Sequence, residues 1–215
     1  MSARSDQDHD FIRIVLADDH LVVRQGMVAI LSLESDFKVI GEASDGLAAY
    51  KLYEQLQPDV LILDLRMPKM DGFETVQKLL GVDPDAQILI MTTYDSDEDI
   101  WRCLKAGAKG YLLKDASHSE IVSAVRTVAA GESFASSKLM PKIARRASAP
   151  ELTNREHEVL KYLAVGMTNK EIAQELDIGS GTVKTHLRNL FKKLEVSTRS
   201  EAINSAVQRG LIRLD

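Results

Sequence analysis

The spacing of apolar positions divides the chain into two stretches of different rhythm. Up to about residue 132, short apolar runs alternate with longer amphipathic ones. Residues 12–17, 37–43, 60–63, 88–91 and 110–113 are short apolar runs that predict strands. Between and after them, residues 21–33, 46–56, 73–80, 97–106 and 119–130 place apolar side chains at helical spacing. Gly107 and Gly131 stand where a helix C-terminus favours a residue able to adopt positive φ. Successive strand–helix units predict a parallel sheet covered by helices on both faces, because parallel neighbours need a crossover.

From residue 151 the rhythm becomes wholly helical. Thr153-x-x-Glu156, Thr168-x-x-Glu171 and Thr198-x-x-Glu201 each have the form of a capping box and mark three helix starts. A fourth start falls between Gly179 and Thr182, after the short connection Asp177-Ile178. Four short helices with a tight turn between the middle two predict a helix-turn-helix unit. Between the two stretches, SFASSKLMPKIARRASAP (residues 133–150) is rich in Ser, Ala and basic residues and holds two prolines. It reads as a linker with a short helix between residues 137 and 146.

Composition is that of a globular chain, 45% hydrophobic and 27% charged over 215 residues. No apolar run approaches the ~18 residues of a membrane span. The polar opening MSARSDQDHD lacks the apolar core of a secretory signal. A lone Cys103 excludes an internal disulfide and a cysteine metal cluster, and suits a reducing cytoplasm. The net charge of −5 hides an asymmetry. Residues 1–137 carry 13 basic against 23 acidic side chains, residues 138–150 carry four basic and no acidic ones, and the remainder is nearly balanced. Two modules with different partners follow from this, although the balanced C-terminal charge does not by itself indicate nucleic acid.

The chemistry collects at the strand ends. VLILDLRMPKMDGF, residues 60–73, runs a buried apolar rail straight to the carboxylate of Asp64. Asp18 and Asp19 follow the first strand, Thr92 and Thr93 the fourth, and Lys114 the fifth. In an open α/β sheet the ligand crevice lies beyond these carboxyl ends. Wet strand ends would account for one or two such residues, but poorly for acids on two strands with a lysine on a third. Three carboxylates sharing a pocket repel one another unless a cation intervenes, and an all-oxygen donor set favours a hard ion such as Mg²⁺. A hydroxyl and an ammonium beside it suit phosphoryl oxygens, which leaves one carboxylate to act as a nucleophile and form an acyl phosphate.

The DD at 18–19, DLRMPKMDG at 64–72, TT at 92–93 and GYLLKD at 110–115 resemble the receiver domain of bacterial two-component response regulators. The resemblance implies a flavodoxin-like, doubly wound five-stranded parallel sheet over residues 11–132. It implies Asp64 as phosphoacceptor from a sensor histidine kinase. It further implies Mg²⁺ on Asp19, Asp64 and the backbone carbonyl of Arg66, with Asp18 acting through water. Thr92 and Lys114 would bind the phosphoryl oxygens, and Tyr111 would couple its rotamer to Thr92. On the residues alone, Tyr111 equally fits a half-buried strand position, Asp71 and Gly72 a turn opening a helix, and Thr93 and Tyr94 a loop.

In the second module, TVKTHLRNLFKKL (residues 182–194) puts Val183, Leu187, Leu190, Phe191 and Leu194 on one face. Lys184, Arg188 and Lys192 recur every four residues on another, beside Thr185 and Asn189. A basic stripe with hydrogen-bonding neighbours suits the DNA major groove, and a solvated helix face looks the same. LTNREHEVLKYLAVGMTNKEIAQELDIGSGTVKTHLRNLFKKLEV (residues 152–196) closely resembles the LuxR/NarL-type DNA-binding domain. That resemblance implies Lys184, Thr185 and Arg188 at base edges, with Thr182, Lys170 and Lys192 at phosphates. Where the family often has Ser-Glu-Gly before Thr-Val-Lys, this chain has Gly179-Ser180-Gly181, which puts the helix start and its phosphate contacts in question.

Together these readings predict a NarL/FixJ-type response regulator: receiver 11–132, linker 133–150 and an all-α four-helix DNA-binding domain 151–215. Phosphorylation on Asp64 would control dimerisation and sequence-specific binding to double-stranded DNA, hence transcription. The expected partners are a sensor histidine kinase, DNA, a second copy on activation and RNA polymerase, in the cytoplasm and without a membrane. The chain is not expected to be an enzyme beyond assisting its own Mg²⁺-dependent phosphorylation and dephosphorylation. The competing readings are a phosphorylation-independent DNA-binding regulator with a vestigial receiver, and an aspartyl-phosphate hydrolase. The hydrolase is disfavoured by the attached helices and by the missing Asp-x-Asp acid/base pair.

Overall fold

The structure is a computed structural model describing residues 11–93, 96–148 and 150–212. The N-terminal decapeptide, Tyr94, Asp95, Ala149 and residues 213–215 lie outside it. The chain divides into two compact units, Met1–Asp95 with Ile100–Pro141, and Ser96–Asp99 with Lys142–Asp215.

The first unit is a parallel sheet. Its strands are β1 (Ile12–Ala17), β2 (Phe37–Ala43), β3 (Val60–Leu63), β4 (Ile88–Thr92), β5 (Gly110–Leu113) and β6 (Phe134–Ala135), in the order β2-β1-β3-β4-β5-β6. The connecting helices are α1 (Leu21–Leu31), α2 (Gly46–Leu56), α3 (Gly72–Val82), α4 (Asp97–Ala106) and α5 (His118–Ala129). Every residue of β3 is fully buried, as a strand covered on both faces must be. Ile14, Leu16, Ile62, Leu89 and Met91 share one core with Met27 and Leu31 of α1 and Ile121, Val125 and Val128 of α5. The alternate residues of the same strands point to the opposite face, because side chains alternate along a pleated strand. Right-handed crossovers from β2 to β5 put α2, α3 and α4 there.

Five strands were expected and six are present. The sixth falls inside the segment read as a linker: Phe134 and Ala135 pair with Gly110 and Tyr111 of β5. Two residues carry no periodicity, so no pattern in the sequence could announce them. The same segment holds α6 (Met140–Ser148), three residues later at its start than the short helix expected there. Gly107 and Gly131 adopt φ of 110° and 81°, the conformations their helix ends require.

The second unit contains α7 (Asn154–Ala164), α8 (Asn169–Glu175), α9 (Ser180–Leu194) and α10 (Arg199–Gln208). The capping boxes of α7 and α8 close as predicted. That of α10 closes only by half. Thr198 accepts the N–H of Glu201, but the Glu201 carboxylate accepts from Ser197, one residue further out. Between α8 and α9 the turn is made by Asp177 at φ 50°, a conformation that aspartate tolerates better than most residues. Gly179 is the N-cap of α9 and offers no side-chain bond. One apolar core, including Leu160, Leu163, Ile172, Val183, Leu187, Leu190 and Ala202, holds the four helices together.

Candidate functional site

The strand order fixes where a ligand can sit. From β1 the chain moves outward to β2, then crosses back to β3 on the other side of β1. At such a reversal the connections leave neighbouring strands in opposite directions and open a crevice at their carboxyl ends. Asp18 and Asp19 follow β1, and Asp64 follows β3. Their positions are set by backbone bonds: the Asp18 N–H donates to the Ala43 carbonyl at 3.1 Å and the Asp64 N–H to the Ala17 carbonyl at 2.9 Å.

Lys114 enters this crevice from the end of β5 and is 9% exposed. Its Nζ lies 2.6 Å from Asp18 Oδ2 and 2.7 Å from Asp64 Oδ2, linking the ends of three strands. Burial lowers the pKa of this ammonium, but the hydrogen bonds and charges of Asp18 and Asp64 outweigh it, and the net shift is upward. The other Asp18 oxygen accepts the N–H of His20 at 2.9 Å. Asp19 is more open to water and lies 2.8 Å from Nδ1 of His20, a residue the sequence reading did not single out. One oxygen or nitrogen from each of Asp18, Asp19, His20 and Asp64 falls within 4.8 Å of the others.

Three carboxylates against one ammonium leave two negative charges in this cluster. Oδ1 of Asp64 is buried without a hydrogen-bond partner among the described residues. A surplus of two charges, hard oxygen donors and an unsatisfied carboxylate oxygen are what Mg²⁺ binding would answer. The residues therefore fit this ion.

Thr92 ends β4 and is fully buried, as is Tyr111 on the adjacent β5, where the sequence had left Tyr111 open as a half-buried position. The Lys114 N–H donates to the Thr92 carbonyl at 3.0 Å, holding the two strand ends in register. Arg66 stands in the loop two residues past Asp64.

As the sequence reading allowed, Asp71 and Gly72 make the turn at the end of that loop and open α3, with a complete capping box from Asp71 to Glu74. The loop's other contacts left no trace in the sequence. Gly72 sits so close beneath the loop that a Cβ there would lie 2.3 Å from the Asp64 carbonyl oxygen. Its N–H donates to the Leu65 carbonyl at 2.9 Å. Gly46 gives way in the same manner to the Met70 carbonyl, 2.2 Å from where its Cβ would be. Lys69, at φ 65°, reaches Asp45 Oδ2 at 2.6 Å. Asp45 is the buried N-cap of α2, and its pKa is lowered by Lys69 first and by the Ala48 N–H second. The phosphoacceptor candidate thus stands on a loop fastened to α2 before it and to the start of α3 after it.

In the second unit, Lys184, Thr185, Arg188, Asn189 and Lys192 of α9 are all exposed, while Val183, Leu187, Leu190 and Leu194 are buried behind them. Thr182 and Lys170 are exposed as well. The basic stripe is therefore presented on a helix whose opposite face is anchored.

Comparison with known proteins gives two family matches. Residues 14–126 match the response regulator receiver domain, and residues 150–206 match the bacterial regulatory proteins of the luxR family. The transcriptional regulatory protein LiaR of Bacillus subtilis is 40% identical over 209 residues, 94% of this chain and 99% of its own. The nitrate/nitrite response regulator NarL of Escherichia coli K12 is 40% identical over 88% of this chain and 92% of its own. Among solved structures, the response regulator ChrA of a heme-sensing two-component system aligns at a TM-score of 0.56 and 38% identity. That alignment covers 94% of this chain and all of ChrA.

Proposed function

This chain belongs to the response regulators that join a receiver domain to a LuxR-type DNA-binding domain, and we propose that within it Asp64 accepts the signal. A carboxylate oxygen of Asp64 attacks the phosphorus of a phosphohistidine on a sensor kinase. The P–N bond breaks, the imidazole departs with the electron pair and takes up a proton, and an acyl phosphate remains. The observation that carries this reading is the Asp64 side chain itself. One oxygen is held 2.7 Å from the Lys114 ammonium, and the other is buried without a hydrogen-bond partner among the described residues.

Asp19, Asp64 and the Arg66 carbonyl would hold Mg²⁺, with Asp18 through water, and the ion would screen the negative charge of the incoming phosphoryl group. Lys114 supplies its positive charge to the phosphoryl oxygens, and the Thr92 hydroxyl donates to one of them. Tyr111, on the strand next to Thr92, is the residue through which a Thr92 movement would be transmitted. The domain limits we assign are 11–135, which takes β6 out of the expected linker 133–150, and 151–215.

The output is DNA binding by α9. Lys184, Thr185 and Arg188 read base edges, while Thr182, Lys170 and Lys192 meet phosphates. Phosphorylation favours a dimer that reads two half-sites in the cytoplasm and regulates transcription, with RNA polymerase as a further partner. Intact-protein mass after incubation with Mg²⁺ and acetyl phosphate tests the first step. A single phosphoryl adduct is expected on the wild type and none on Asp64→Asn. Equal labelling of both proteins, or of neither, would sink the assignment of Asp64. Sedimentation of the same two samples with and without the phosphodonor tests the second step, a donor-dependent dimer being expected for the wild type alone.

A further inference from the structure

Two neighbouring lysines near the end of α9 have different surroundings. Lys192 is exposed. Lys193 is 24% exposed, and its Nζ donates to Oε2 of Glu156 at 2.6 Å and to the Glu151 carbonyl at 2.8 Å. The Glu156 side chain is 4% exposed. Its same oxygen also accepts the Thr153 N–H at 2.8 Å, completing the capping box of α7. One carboxylate therefore closes the first turn of α7 and grips the C-terminal half of α9. Capping alone does not require this arrangement. Glu171 closes the box of α8 from an exposed position, accepting the N–H and the hydroxyl of Thr168. Burial raises the Glu156 pKa, but Lys193 and the Thr153 N–H lower it further, and the net shift is downward.

The apolar part of the α7–α9 packing runs through residues such as Val159, Leu160, Leu187 and Leu190. Apolar burial is non-directional, so by itself it tolerates small rotations of a helix about its axis. An ammonium shared between a carboxylate and a carbonyl tolerates them poorly. We propose that the Glu156–Lys193 pair is a positioning clasp for DNA recognition. It sets the rotation of α9 on α7, so that Lys184, Thr185 and Arg188 meet base edges together, and Lys193 itself contacts no phosphate. The proposal rests on the DNA-binding reading above and gives the two adjacent lysines separate roles.

The test uses the full-length chain and two duplexes: one enriched by the wild type from a randomised pool, and a scrambled duplex of the same composition. Affinities for both are measured across a salt series. Lys193→Gln and Glu156→Gln should each lower the ratio of specific to non-specific affinity roughly tenfold, the scale of one lost base contact. Neither should change the salt slope, and the double variant should be no worse than either single one. Lys192→Gln should weaken both duplexes alike and reduce the slope by about 0.9, the signature of one lost phosphate contact. Lys193→Arg keeps the charge and should keep the ratio, which preserves the test if the Gln variants fold poorly. A slope lowered by Lys193→Gln as by Lys192→Gln would put Lys193 on phosphate and overturn the clasp. So would a ratio unmoved in both Gln variants, or one lost equally in Lys193→Arg. A wild type that enriches no duplex would overturn the DNA-binding reading itself, and the clasp with it.

Discussion

Lys114 and Lys192 carry the same ammonium on the same stem, one 9% exposed between two carboxylates and the other out in solvent on α9. In the receiver the cation sits where the sheet excludes water, so its attraction to Asp18 and Asp64 is little screened. On α9 the cations stand on a free surface, where water and salt weaken them until a polyanion displaces both. The first arrangement suits bond-making on a phosphorus atom that must be met in one geometry. The second suits a long charged partner met along a line. Burial, more than residue type, separates the two kinds of site.

The largest effect that would break this comparison is at Lys114. Replacing it by Ala leaves Asp18 and Asp64 facing each other without their cation, and the chelated protein should lose roughly 3 kcal/mol in urea unfolding. Adding Mg²⁺ should recover much of that loss, because a divalent ion can take over the neutralisation. A variant as stable as wild type in chelator would mean that the cluster is less desolvated than its geometry indicates.

Gly72→Ala comes next. The added carbon would press on the Asp64 carbonyl, so a cost of about 1–3 kcal/mol is expected. Slower labelling by acetyl phosphate should accompany it, as the loop carrying Asp64 is displaced. Wild-type labelling kinetics would show that the loop gives way without disturbing Asp64.

Acid titration separates the two units. The folded pKa of Glu156 is lowered from an ordinary value of 4.5, so its stabilisation is complete above that value and is lost as pH falls through the lowered one. The stability difference between wild type and Glu156→Gln should therefore narrow below pH 4.5. For Lys114, whose folded pKa is raised, the stabilisation is complete below its ordinary 10.5 and is lost only as pH rises through the higher folded value. It should not respond in acid through its own titration. The smallest expected effect is at Arg126, which is 47% exposed and pairs with Glu34 and Asp36 at 2.7 and 2.9 Å. Arg126→Ala should leave the unfolding midpoint almost unchanged, since solvent and salt screen such pairs.

By itself the sequence determined what is local or periodic. The alternation of strand and helix, the polar residues closing β1, β3, β4 and β5, the boxes at Thr153–Glu156 and Thr168–Glu171, and the buried and basic faces of α9 all follow from spacings within a few residues. The convergence of Asp18, Asp64 and Lys114 was legible as well, because a parallel sheet sends every strand's end to the same edge. Only the tertiary structure decided contacts between distant positions with no periodic trace. Lys69 finds Asp45 24 residues away, Lys193 finds Glu156 37 residues away, and two residues at Phe134–Ala135 join the sheet on β5. Gly72 beneath the Asp64 carbonyl belongs to the same group. Each depends on the distance and angle at which two elements meet, which side-chain packing sets and local spacing does not encode.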